Sequence, residues 1–216
     1  MTASALIVGF KELRAHPVEV VCTARSGLST FEIEGLPGAK AIRAKGRILS
    51  AFTAIGLALP AQRIVAKLEC AGDVVVGSHC DLAVATALLG ELDLVDRETT
   101  SEHLFFGQFG NDGQVTRMSG AVLAALFAEE RELALVAPAA QMAVLQNVPN
   151  LRTIPISSFH ELVSYLKTGR HNDTEKHYKV ERALPRVNQA NSNRFWADIH
   201  SLEIEIIANL KQRTER

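Results

Sequence analysis

From Asp81 to Leu89 the chain reads Asp-Leu-Ala-Val-Ala-Thr-Ala-Leu-Leu, a helical stretch with almost no polar face. A helix that is apolar all round must be buried on most sides. This segment therefore has to be surrounded by other elements, and the flanking sequence supplies them. Strand-like stretches at 3–8, 19–24 and 30–34 come first; in the third, Phe31 and Ile33 alternate with Glu32 and Glu34, the period of a half-buried strand. Gly35-Leu36-Pro37-Gly38 breaks the pattern. A helix is predicted over 39–55, with Ile42, Leu49, Phe52 and Ile55 near one face and Gly56 and Pro60 as stop signals.

A strand is predicted at 63–68, and a loop over 71–78 leads into the apolar helix. Residues 104–109 and 115–118 form an expected hairpin around Asn111-Asp112-Gly113. A helix at 121–130, a strand at 133–136, a short helix at 138–146 and a strand at 152–155 follow. The last helix of this block, 159–166, is capped by Ser157-Ser158 and carries Glu161 in its first turn. Strands alternating with helices mean an α/β fold, and the three-strand start makes the sheet mixed. The domain is expected to span 1–166. A polar linker, 167–194, follows it. Then Phe195, Trp196, Ile199, Leu202, Ile206 and Leu210 recur at helical spacing, which predicts an amphipathic helix within 195–216. Whether that helix docks on a partner or packs on its own domain is open.

The 216 residues carry 23 Lys and Arg against 24 Asp and Glu, so no global charge points to nucleic acid. No apolar run approaches the ~18 residues of a membrane span, and the first residues lack a signal peptide's pattern. Cys22, Cys70 and Cys80 show no C-x-x-C spacing; three small buried thiols in a reduced, cytoplasmic setting are expected. Local charge is more telling. Lys40, Arg43 and Arg47 stand at i, i+3 and i+7 on the first helix, with Lys45 beside them. Arg63 and Lys67 are expected nearby. The stripe suits phosphate contact or is a solvated face. Aromatic residues do not interleave, so base stacking is not indicated.

Several ordered segments carry a family resemblance: Phe31-Glu32-Ile33-Glu34-Gly35-Leu36-Pro37, Leu59-Pro60-Ala61-Gln62-Arg63-Ile64, Cys80-Asp81-Leu82-Ala83-Val84-Ala85, Phe106 to Val115, Gly120-Ala121-Val122-Leu123 and Leu135-Val136-Ala137-Pro138. Over roughly residues 4 to 166 the chain resembles the N-terminal domain of the magnesium-chelatase-like AAA+ proteins linked to competence (the ComM/YifB type). The resemblance implies a Lon-protease-like, ribosomal-S5-domain-2-like fold that precedes a hexameric AAA+ motor. The best-described members look like DNA branch-migration helicases. This sequence departs from the family in the basic stretch after Pro37, in Gly107-Gln108-Phe109, and in the loop before Asp81. Trp196-Ala197-Asp198-Ile199 is similar to the entry of the AAA+ module.

The chemistry that the resemblance raises lacks its residues here. No G-x-x-x-x-G-K-[ST] segment exists to cradle ATP phosphates. A Lon-type dyad needs a serine beside a lysine that takes its proton. The alignment puts His79 at the nucleophile, with Ser78 one residue earlier, and Val122 at the lysine. Residues 121–131 contain no lysine. Ser78 is expected to cap the apolar helix or lie in its entry loop. Cys70, His79, Cys80 and Asp81 have no recognised metal spacing; a surface imidazole is expected for His79. The expectation is a non-catalytic accessory domain with no cofactor, metal or small-molecule substrate. It would contact DNA through Lys40, Arg43, Arg47, Lys45 and Arg63, or mediate self-association or assembly with an AAA+ partner. The alternatives are a hydrolase of altered active site using Ser78 or His79, and a degenerate remnant of a helicase.

Overall fold

The computed structural model describes residues 3–70, 72–97, 100–169 and 194–214, without the side chains of 194, 195 and 211–214. Nine strands and six α-helices are assigned there. They are β1 (Ala3–Lys11), β2 (Arg14–Arg25), β3 (Thr30–Glu34), α1 (Gly38–Ala54), β4 (Arg63–Cys70), α2 (Asp81–Glu91), β5 (His103–Phe105), β6 (Gln108–Phe109), β7 (Val115–Thr116), α3 (Ala121–Glu130), β8 (Ala134–Pro138), α4 (Met142–Leu145), β9 (Thr153–Ile156), α5 (Phe159–Thr168) and α6 (Arg194–Thr214). The expected linker falls at 170–193, outside the described residues; its first residues, Lys167 and Thr168, instead finish α5.

Seven strands form one sheet in the order β3-β4-β2-β1-β5-β8-β9. β1–β2 and β2–β4 are antiparallel, whereas β3–β4, β1–β5, β5–β8 and β8–β9 are parallel. The fold is thus mixed α/β, as an S5-domain-2-like chain requires. One face packs α1, α2 and α5 into a core with Val18, Val20, Cys22, Phe31, Ile33, Ile64 and Ala66. On the other face α3, α4 and α6 cover Val8, Phe10, Leu104, Leu135 and Ala137 of β1, β5 and β8. Helix α2 is the centre of the first layer, buried at every position from Asp81 to Gly90. Each fully buried Leu or Val there contributes about 1.5–3 kcal/mol.

Two expectations are corrected. Helix α1 buries Ala44, Ile48, Ala51 and Phe52, while Ile42 is 73% exposed. The buried row passes from Ala44 to Ile48 to Ala51 and Phe52, and Ile42 falls off it. The strand expected at 104–109 is two strands. After Phe105 the chain leaves the sheet because Gly107 bonds to the entry of α2: its N–H donates to the His79 carbonyl (3.0 Å) and its carbonyl accepts from the Leu82 N–H (3.2 Å). Gln108 and Phe109 then pair with Thr116 and Val115 in a separate ribbon.

The turn between β3 and α1 depends on Gly35. Its φ is +90°, and a Cβ there would stand 2.9 Å from both the Cβ and the carbonyl oxygen of Leu68. An L-residue meets backbone strain and overpacking together. Gly35→Ala is expected to lower the unfolding free energy by about 2–3 kcal/mol in a urea titration. A change below about 0.5 kcal/mol would show that this turn adapts freely.

Candidate functional site

Helix α1 presents Lys40, Arg43, Lys45 and Arg47 and contains no acidic residue. Arg43 is exposed and Lys40 and Lys45 are half-buried. Arg47 leaves this stripe. Its guanidinium turns inward onto the fully buried carboxylate of Asp81, donating from Nε to Oδ2 at 2.6 Å and from Nη2 to Oδ1 at 2.9 Å. Oδ2 also accepts from the Phe109 N–H at 3.1 Å. Burial pushes the Asp81 carboxyl up to about 6, against the opposing pull of Arg47 and the Phe109 amide. Arg47 is therefore the partner of a buried charge, not one member of a solvated row.

Arg63 does not join the row either. It points outward from β4, on the sheet face opposite α1, with its Nη2 3.6 Å from Glu32. Lys67 shares that outer face and holds Glu69 at 2.9 Å. The sheet itself separates these two cations from the helix, because outward and inward positions alternate along β4. The α1 cations left toward the surface are thus Lys40 and Arg43 on one flank of the helix and Lys45 on the other.

The second place of interest is the entry to α2, a 3-10 turn at Ser78–Cys80. His79 is fully buried rather than at the surface. Its Nε2 lies 2.8 Å from the Val8 carbonyl oxygen. A carbonyl accepts, so Nε2 carries the proton and Nδ1 is left as an acceptor without a partner among the described residues. The ring stacks on Phe106 (4.9 Å between centroids, 22° between planes) and meets Phe10 at 5.3 Å and Trp196 of α6 at 5.7 Å. Burial lowers the imidazole to about 4, only partly opposed by the bond to Val8, and Lys40 adds to the lowering. Ser78 is half-buried, and no side chain caps the turn or α2.

Across from His79, the position aligned with the Lon lysine is also occupied. The Val122 N–H at the start of α3 donates to Oε1 of Glu203 on α6 at 2.8 Å. Glu203 is raised above the ordinary carboxylate range by burial, with backbone bonds to Gly120 and Val122 opposing. Helix α6 packs back on its own domain through Trp196, Ile199, Leu202, Ile206 and Leu210. Its polar anchor, Glu203, was not foreseen; its place seven residues after Trp196, on the apolar row, held the signal. Cys22 and Cys80 are buried, and burial pushes the Cys22 thiol up to about 12, whereas Cys70 is exposed, against expectation. It closes β4 where the strand runs out of the core, and its Sγ lies 3.7 Å from the Gly72 carbonyl oxygen. Among the described residues, Asp81 spends its carboxylate on Arg47 and Phe109, and His79 spends Nε2 on Val8.

Residues 18–141, more than half of the chain, match the family model described as subunit ChlI of Mg-chelatase. The chain is also similar to uncharacterized proteins of Mycobacterium bovis and of two strains of Mycobacterium tuberculosis. Each is 28% identical over 165 residues, covering 76% of this chain and 33% of the relative. The chain thus spans about a third of the length of these curated relatives.

Removing one partner of a buried pair leaves an unpaired charge. Arg47→Ala is expected to cost about 3–5 kcal/mol in equilibrium unfolding at neutral pH, where a change under 1 kcal/mol would show the pair to be dispensable. His79 gives a pH test. Its folded-state value lies below the ordinary 6.5, so the unfolded chain binds the extra proton first. The stability from a neutral His79 is complete above about 6.5 and is lost as pH falls toward about 4. That loss is on the order of 2–3 kcal/mol. In His79→Phe this acid-sensitive component should vanish, and its persistence would assign it to other groups.

Proposed function

Because the chain belongs to the family of subunit ChlI of Mg-chelatase, we propose that it is a non-catalytic accessory module of a magnesium-chelatase-like, competence-type protein. In this reading it acts in the cytoplasm through its surfaces, alongside an AAA+ partner, and the basic face of α1 contacts nucleic-acid phosphates. The observation that carries the non-catalytic part is the packing at the α2 entry. A general base must reach a solvent-borne proton and hold a pKa near the working pH. His79 is sealed beneath Trp196 with its value lowered to about 4. The Val122 position supplies only a backbone N–H, already given to Glu203.

The phosphate contact is supported by the make-up of α1. Its N-cap is Pro37, with no side-chain cap and no acid in the first turn. Lys40 stands near the positive end of the helix dipole, a placement that disfavours a cation. A phosphate seated there would relieve both, since helix N-termini and nearby cations favour anions. Arg43 and Lys45 extend the surface for sequence-independent contact.

Fluorescence anisotropy with single-stranded, duplex and forked DNA across a salt series tests this reading. Binding in the micromolar range that weakens steeply with salt is expected. Replacing Lys40, Arg43 and Lys45 with Ala should flatten the logarithmic salt slope by up to about one unit per cation. Absence of binding at low salt would overturn the phosphate face. Peptide hydrolysis by the wild-type chain that disappears in Ser78→Ala would overturn the non-catalytic reading.

A further inference from the structure

Among the described residues, helices cover both faces of the sheet at β1, β5 and β8, but only one face of β3, β4 and the later half of β2. On the uncovered side, alternate residues point out. Val21, Thr23 and Val65 form a half-buried centre in a shallow concavity, and charged residues flank it. The arrangement of those charges is unusual for a surface that only meets water. Arg25 lies directly opposite Arg63 across the β2–β4 ladder, and Glu19 lies directly opposite Glu69. Like charges placed opposite one another weaken a strand pair. This face holds two such pairs, of opposite sign, separated by six residues or roughly 20 Å of strand. Among the described residues, neither Arg25 nor Glu19 meets an opposite charge within the chain.

We propose that this bare sheet face is the contact between two copies of the chain, stacked sheet on sheet about a twofold axis. In an isologous contact each surface meets itself in reverse. With the axis across the strands at Val21, Thr23 and Val65, the Arg25–Arg63 end of one copy lies over the Glu19–Glu69 end of the other. The two pairs that repel within a chain then become complementary between chains. The apolar centre meets its own image, at the spacing usual for stacked sheets. A strongly basic peptide would match only the acidic end, and a duplex or another acidic ligand only the basic end. Both ends are satisfied together by a second copy. The inference rests on the reading of the chain as a module that works through its surfaces, but not on the α1 face, which lies on the other side of the sheet.

Sedimentation velocity on the full chain over a wide concentration range reads the association directly. The wild type is expected to double its mass with rising concentration at low salt, and to lose the dimer as salt screens the charges. Arg25→Glu with Arg63→Glu makes both ends of the face acidic. Glu19→Arg with Glu69→Arg makes both ends basic. Each double variant should shift the monomer–dimer midpoint at least about tenfold upward, and an equimolar mixture of the two should restore association. Thr23→Arg at the centre should block it as well, with circular dichroism confirming folded chains. A wild type that stays monomeric at low salt overturns the proposal. So does unchanged association in all three variants, or a mixture that fails to associate. Each of these results leaves the DNA and hydrolysis readouts standing on their own.

Discussion

Asp81 is a carboxylate with no access to water at the head of the most deeply buried helix, and everything around it is arranged to hold that charge. Two donors from Arg47 bring α1 against α2, and the amide of Phe109 brings in the short ribbon that follows β5. Three segments far apart in sequence are thus fixed to one side chain. A buried pair of this kind is weak evidence for net stability, but breaking it is costly. That asymmetry makes it a register device. It sets where α1 lies along α2, and so which α1 residues remain on the surface.

The consequences reach both faces of the molecule. With Arg47 committed inward, the outward cations of α1 are Lys40, Arg43 and Lys45, at and near an uncapped helix start. On the far side of the same helix entry, His79 is held against Phe106 and Val8 and closed over by Trp196. At this entry the chain has aromatic packing and a carboxylate from α6 on the Val122 amide of α3. The proposed accessory role rests on that closure. It leaves the work of the protein to its surfaces.

Much of this was legible in the sequence, and the exceptions share a cause. Periodicity and turn residues placed β3, α2 and α3 nearly to the residue, because each is decided by local pattern. The alternation of elements gave the mixed α/β sheet. What local pattern could not show was where a side chain goes once a partner is available. Arg47 has the spacing of a surface stripe, and only Asp81 across the layer draws it in. Ile42 has apolar character but the wrong angle on α1 to reach the core. His79 follows a polar serine and looks like a surface residue until Phe10, Phe106 and Trp196 converge on it from three elements. The strand predicted through 104–109 splits because Gly107 takes its backbone bonds from α2. Arg63 and Lys67 fall away from α1 because β4 alternates its faces.

The account turns on His79 being a sealed, neutral core residue rather than an accessible base. Following its imidazole resonances by NMR through a pH titration of the full chain would decide this most directly. The account predicts a ring that keeps the Nε2-protonated form across the neutral range and takes up a second proton only near about 4. An imidazole that titrates at or above its ordinary 6.5 would contradict it, returning His79 to solvent beside Ser78.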